Sequence, residues 1–274
     1  MPYYQETFPR IPGKYLDNHV QVPMLAPHFL HNAKIYIHII AEVELTDYPP
    51  MHFIKSSTET DKAKTILDYG CGRGAHIVLW KSLFPQSELF FCDISPVALQ
   101  ILAKEHPEYT SNCGLIEKSI APLPDNYFDL ILSIEVMKHV EDYDSYIADI
   151  HRLLKPGGIF VWTTPCGNYF SIEHIYSFLT GQIKRTSEGY RLWKWEDPNH
   201  IRRLKSTEVK RKLTSNGFQE VFFRYRAHFF SFICSRLMKE RLKQIGEKLM
   251  LLDYNLFRLF PNAASMIGYA GKRP

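Results

Sequence analysis

The sequence predicts an α/β fold, a doubly wound and mostly parallel sheet flanked by helices, on three observations. From residue 64 short apolar runs alternate with helical patterns, a glycine-rich turn joins the first run to the first helix, and two late runs read as a terminal antiparallel pair. The parallel runs are Thr65-Ile66-Leu67-Asp68, Glu88 to Asp93, Phe128 to Ser133 and Ile159 to Thr163. Each is short, rich in β-branched or aromatic residues, and bounded by turn formers. Between the third and fourth, Tyr143 to Leu154 places Tyr146, Ile147, Ile150, Leu153 and Leu154 on one helical face, with Asp142 or Asp144 as cap. Lys155-Pro156-Gly157-Gly158 then ends the helix and turns the chain into the next strand. Gly217 to Arg226 and Ala263 to Ala270 form the antiparallel pair.

One such unit with insertions accounts for all 274 residues. The segments outside the frame are residues 1–60, 166–206 and 231–261. They divide the chain into an N-terminal lid or substrate segment (1–60) and a main domain (61–274), with an acceptor-side insertion at 166–206 and a helical one at 231–261. With 45% hydrophobic and 14% aromatic residues against 23% charged, disorder is excluded as the main state. No run of about twenty apolar residues occurs and the first residues lack a signal-peptide stretch, so a soluble, cytoplasmic protein is expected. The five scattered cysteines contain no C-x-x-C pair and read as reduced thiols.

The turn Tyr69-Gly70-Cys71-Gly72-Arg73-Gly74-Ala75 lets a ligand approach the backbone closely at the carboxyl edge of the sheet. Alone it has two readings. Gly70, Gly72 and Ala75 also satisfy the dinucleotide fingerprint, with Asp93 where a ribose-binding acid belongs, so a nicotinamide oxidoreductase is one alternative.

Four further motifs follow in order. Asp93 ends the second strand; Glu117-Lys118 precedes Pro122-Leu123-Pro124-Asp125-Asn126-Tyr127-Phe128-Asp129; then come Ser133-Ile134-Glu135-Val136-Met137-Lys138-His139-Val140 and Leu154-Lys155-Pro156-Gly157-Gly158. With the D-x-G-C-G-x-G loop at Asp68 to Gly74, the block from Ile66 to Pro165 resembles class I S-adenosylmethionine-dependent methyltransferases, in particular the small-molecule, ubiquinone-biosynthesis-like type 11 group. The resemblance implies a seven-stranded Rossmann-like sheet, S-adenosylmethionine as cofactor with S-adenosylhomocysteine as product, and cofactor contacts from Asp68, Gly70, Cys71, Gly72, Gly74, Asp93, Ile94, Glu117, Lys118 and Ser133. Asp93 would accept both ribose hydroxyls and Glu117 the adenine amino group. Cys71 and Cys92 also read as small buried hydrophobes.

His139 is the implied base near the mouth of the site, since a neutral imidazole accepts a hydroxyl proton; its other reading is a packing or capping residue of a short helix. His200 is a second candidate base, or a hydrogen-bonded loop residue. It lies in Trp193-Lys194-Trp195-Glu196-Asp197-Pro198-Asn199-His200-Ile201-Arg202-Arg203, where Trp193, Trp195, Arg202 and Arg203 read as acceptor-binding side chains. Residues 181 to 212 hold ten Lys or Arg against four Asp or Glu, so the local field is positive and suits a phosphate or carboxylate clamped by Arg202 and Arg203. Tyr4 and Tyr15 would stack on an aromatic acceptor, or pack a helix on the sheet. No metal site is expected, because His28, His31 and His38 have no acidic partner near in sequence.

Methyl transfer to a small anionic or aromatic metabolite, at oxygen rather than nitrogen, is therefore expected, by a monomer or homodimer. An RNA methyltransferase using the basic 181–212 stretch is the alternative partner class. DNA is excluded on the motif after the fourth strand, where Ser133-Ile134-Glu135-Val136 replaces [DN]-P-P-[YF]. The amphipathic stretch from Leu237 to Leu252 covers the sheet, pairs subunits or lies on a membrane surface.

Overall fold

The computed structural model describes residues 63–230 and 243–274. Within them the strands are β1 (Thr65–Tyr69), β2 (Glu88–Asp93), β3 (Cys113–Leu115), β4 (Phe128–Ile134), β5 (Leu154–Pro165), β6 (Ile183–Arg185), β7 (Arg191–Trp193), β8 (Phe218–Arg226) and β9 (Ser265–Lys272). The helices are α1 (Ile77–Leu83), α2 (Pro96–Glu105), α3 (Tyr143–Leu153), α4 (Ile172–Leu179), α5 (Ser206–Ser215) and α6 (Lys243–Phe257).

The main sheet has seven strands in the order β3-β2-β1-β4-β5-β9-β8. β1 to β5 pair in parallel, while β9 runs antiparallel between β5 and β8. Strand order reverses between β1 and β4, which opens a crevice at their carboxyl ends, the place where open α/β sheets bind ligands. The period of two divides the core. Ile66, Leu89, Phe91, Leu130, Leu132, Ile159 and Val161 face α1 and α2, through Ile77, Trp80, Leu99 and Leu102. Leu67, Phe90, Ile131, Phe160 and Trp162 face the other way, onto Tyr146, Ile147 and Ile150 of α3 and Val209 and Leu213 of α5.

Asp142 is the cap of α3, accepting from the Ser145 amide at 3.0 Å, whereas Asp144 pairs with Lys212 of α5 at 2.5 Å. The turn expected at 155–158 is a bulge inside β5. Leu154 already pairs with Phe128 and pairing resumes at Ile159 with Leu130, so the intervening residues loop out around Gly157 at φ +77°. The antiparallel partners Trp162 and Gly268 are in register, and a Cβ on Gly268 would lie 1.9 Å from Trp162 Cζ2; glycine there lets the indole lie against β9. Residues 166–206 contain α4 and a separate hairpin, β6 with β7. No helix of the described residues is long and apolar enough to cross a membrane.

Candidate active site at the carboxyl edge of the sheet

The loop after β1 is built for close approach. Gly70, Gly72 and Gly74 all have positive φ, and the Gly70 and Cys71 amides both donate to the Cys92 carbonyl, at 2.8 and 3.0 Å. A Cβ at Gly70 would meet Val136 Cγ2 at 2.4 Å and one at Gly74 would meet Ile77 Cδ1 at 2.6 Å, so both positions are closed by protein. A Cβ at Gly72 would meet nothing within 4 Å among the described residues, so the loop presents bare backbone there. Asp93 fixes that backbone: its carboxylate accepts from Gly72 N and from Ser95 N, each at 2.8 Å. Each oxygen keeps a second lone pair for a ligand hydroxyl. Ile94 beside it is 74% exposed, an apolar side chain at the same edge.

Asp68 works behind the loop. It is buried, accepts from the Trp80 indole at 2.8 Å, and its carboxyl is pushed up by burial, against the pull of His76 and the indole. It ties α1 to β1 and does not reach the open side. The Cys71 thiol is buried and raised by desolvation. Ser133, expected at the cofactor, is fully buried instead: its hydroxyl donates to Tyr69 O at 3.0 Å and accepts from Tyr146 at 2.8 Å, so it fastens β4 to β1 and α3.

Glu117 and Lys118 form a tight turn with Ser119 and Ile120. Lys118 and Ser119 have φ of 50° and 62°, and Glu117 and Ile120 exchange two main-chain hydrogen bonds. Two residues that no motif signalled hold the loop that follows. Asp149 accepts from Ala121 N at 2.9 Å and from the Tyr69 hydroxyl at 3.1 Å; Arg152 pairs with Asp149 at 2.6 Å and with Asp125, and donates to the Ala121 and Leu123 carbonyls. Their i, i+3 spacing on α3 was the available signal.

After β4, Glu135 has φ 63° and pairs with Lys138 at 3.0 Å and Arg226 at 3.1 Å. Burial would raise its carboxyl, but those cations hold it down to about 2. His139 and His200 are brought together, ring centroids 5.1 Å apart. His139 Nδ1 lies 3.0 Å from Asn199 O; a carbonyl only accepts, so Nδ1 carries the proton and Nε2 keeps the lone pair. Burial and Lys138 lower its pKa, and burial, Lys138 and His139 push that of His200 down to about 3. Both rings are neutral at neutral pH. The register is held by further bonds from Ile201 N to Lys138 O (3.0 Å) and from Arg202 Nη2 to Glu141 O (2.9 Å).

The arginine pair divides. Arg203 is buried, bound to Glu196 and, at 3.1 Å, to Glu173, with the Cys166 and Ala264 carbonyls at 3.3 Å; an internal charge so compensated does not clamp a ligand, which corrects the expectation for it. Trp193 is also corrected: it is buried, stacked on His174 and donating to Glu173 at 3.2 Å. Trp195 is half-buried and donates to Ser177 of α4 at 3.2 Å. Arg202 lines a cavity of about 550 Å³ between the β6–β7 hairpin and residues 198–202, together with His200 and Lys184. Tyr4, Tyr15, His28, His31 and His38 lie outside the described residues.

These features fit S-adenosylmethionine: bare backbone at Gly72, an acid of free lone pairs beside it, and an exposed apolar residue after that acid. Residues 67–162 match the profile of a methyltransferase-domain family. The chain is 34% identical over 104 residues to a mitochondrial arginine-hydroxylase, NDUFAF5, of Danio rerio, covering 37% of this chain and 32% of that protein. It is 27% identical over 99 residues to a malonyl-[acyl-carrier protein] O-methyltransferase of Hahella chejuensis, covering 36% of each. The chain thus spans about a third of the length of these two relatives. Among solved structures, phosphoethanolamine N-methyltransferase 2 of Haemonchus contortus, in complex with S-adenosyl-L-methionine, aligns with a TM-score of 0.55 at 14% identity over 90% of this chain and 60% of that one, a likeness of fold. The seven-stranded order, the glycine loop and the matched profile agree, and residues 67–162 carry a methyltransferase domain of the class I S-adenosylmethionine-dependent, type 11 kind.

Proposed function

We propose that the protein moves the methyl group of S-adenosylmethionine to a small acceptor, anionic or aromatic, at oxygen in preference to nitrogen, and that it works in the cytoplasm as a monomer or homodimer. The observation that carries the choice of oxygen is the tautomer of His139: with Nδ1 committed to Asn199 O, Nε2 is left as a base, on a residue whose main-chain amide donates to the carbonyl of Val136, the neighbour of Gly70. The cofactor would supply an electrophilic methyl on a sulfonium, with S-adenosylhomocysteine as the leaving group. The bare backbone at Gly72 would admit its amino-acid part, Asp93 would accept from its ribose, and Glu117, Lys118 and Ile94 would border its adenine. The protein's work is alignment and exclusion of water, worth roughly 7 to 11 kcal/mol in well-oriented reactions. His139 Nε2 takes the acceptor's hydroxyl proton as the methyl arrives, a contribution of about 10² to 10⁴ in rate for a positioned base. His200, in edge contact with His139, holds that ring in place.

The test is transfer of labelled methyl from S-adenosylmethionine to a panel of phenols, carboxylic acids and phosphorylated small molecules, with bulk RNA as a separate arm. Label on a small acid or phenol, stable to amine-cleaving but not ester- or ether-cleaving conditions, is the expected result. Label on RNA alone would replace this reading with the RNA methyltransferase.

A further inference from the structure

We infer that the cavity between the β6–β7 hairpin and residues 198–202 is an anion subsite, in which Arg202 receives a carboxylate or phosphate of the methyl acceptor. The inference rests on the acceptor reading above for its identity of ligand, but its geometry stands apart from the glycine loop. The Arg202 side chain is only 5% exposed, and among the described residues its Nε has no hydrogen-bond partner. Its guanidinium spends Nη2 on the Glu141 carbonyl and lies 5.6 Å from the centre of the Tyr190 ring. The carboxylate within 4 Å of it among the described residues is that of Glu188, at 3.8 Å and 62% exposed, a distant and hydrated counter-charge for a buried cation. A buried guanidinium so poorly matched favours any acceptor oxygen that reaches it. His200 also lines the cavity; its Nδ1 is buried without a hydrogen-bond partner among the described residues, 4.0 Å from the Glu196 carboxylate. Lys184, Thr186, Ser187 and Glu188 supply the polar lining from the hairpin, and Glu141 lines the cavity from the other side.

Arg203 shows what a satisfied arginine looks like at the next position, with two carboxylates and two carbonyls around it. The contrast assigns the two roles: Arg203 braces the insertion and Arg202 recognises. The cavity wall is also tied to the reaction side, because residues 199, 201 and 202 each hydrogen-bond to the 138–141 segment that carries His139. An acid seated on Arg202 would therefore orient the rest of a small molecule toward the two histidines.

The experiment is calorimetric titration of the full chain with malonate, benzoate and inorganic phosphate, with and without S-adenosylhomocysteine, on the wild type and on Arg202→Met, Lys184→Met and Glu188→Gln. Saturable binding of at least one anion is expected. Arg202→Met should weaken it about tenfold or more, as loss of a charge-assisted bond does. Lys184→Met should weaken it roughly threefold and Glu188→Gln should tighten it by about two- to threefold, since each changes one screened charge near the site. The last two lie on the hairpin, so their opposite signs test the subsite even if Arg202→Met does not fold. Absence of binding for all three anions, or binding that the hairpin variants leave unchanged, overturns the inference. Binding of S-adenosylhomocysteine without any anion removes the subsite and leaves the methyl-transfer reading; anion binding without S-adenosylhomocysteine removes that reading and leaves the subsite.

Discussion

The main-chain amide of Gly72 donates to the Asp93 carboxylate at 2.8 Å, so the acid at the end of β2 sets the shape of the loop at the end of β1. The same carboxylate starts the turn into α2 through Ser95 N. Asp93 thus shapes the loop, and in the proposed function its remaining lone pairs take the ribose hydroxyls. Asp93→Ala should weaken S-adenosylhomocysteine binding by about 1 to 3 kcal/mol. Asp93→Asn should fall between, since an amide oxygen keeps one of the two bonds. Calorimetry on the three proteins checks the order; equal affinity in all three would mean the acid does not touch the cofactor.

His139→Ala should lower turnover by about 10² to 10⁴ if the acceptor is a hydroxyl, with cofactor affinity unchanged. The residue's pKa lies below its ordinary value, burial and Lys138 lowering it, so the wild-type rate should rise with pH to a plateau reached at lower pH than an ordinary histidine would give. His200, at about 3, stays neutral throughout and adds no limb near neutrality. An unchanged rate in His139→Ala would return this histidine to a packing role.

Gly268→Ala should destabilise the fold by about 2 to 4 kcal/mol, because the added methyl falls on the Trp162 ring in the middle of the β5–β9 ladder. Chemical denaturation gives the difference. The double variant Gly268→Ala with Trp162→Leu should recover part of it relative to Trp162→Leu alone; no recovery would place the cost elsewhere.

Glu135 makes acid stability a test of the segment after β4. Its folded pKa of about 2 is depressed below the ordinary glutamate value of about 4.3, against burial, by Lys138 and Arg226. A carboxyl lowered on folding contributes stability that is fully present above about pH 4.3 and is lost as pH falls toward 2. With the side chain 30% exposed, the contribution is about 1 to 2 kcal/mol after screening. Glu135→Gln should be less stable at pH 6 and converge on the wild type near pH 2 in urea midpoints; curves that stay parallel across that window would contradict the pairing.

Much of this architecture is legible in the chain because the sheet is buried on both faces. Leu130-Ile131-Leu132 and Phe160-Val161-Trp162 must alternate between two cores, and glycines must stand where β1 turns under a ligand. β3 is hidden because Cys113–Leu115 is too short to show a period, and the β6–β7 hairpin because Ile183–Arg185 and Arg191–Trp193 are short and cationic. The site residues divide on the same physics. Gly72 and Asp93 follow from backbone needs that a local motif records. Arg203 and Trp193 depend on Glu173, a partner from another element, so charge counting over residues 181–212 reads as a field what the fold neutralises in place. Ser133 departs from the expectation for a related reason: its position near the end of β4 suits a ligand, but the Tyr69 carbonyl of β1 and the Tyr146 hydroxyl of α3 take up its hydroxyl.

The measurement that decides the glycine loop is calorimetric titration of the purified full chain with S-adenosylhomocysteine, with NAD under identical conditions. Saturable binding of S-adenosylhomocysteine and none of NAD is the expected result, with the affinity lost in step with the bonds removed at Asp93. Binding of NAD and none of S-adenosylhomocysteine would contradict the account and give Asp93 to a dinucleotide ribose.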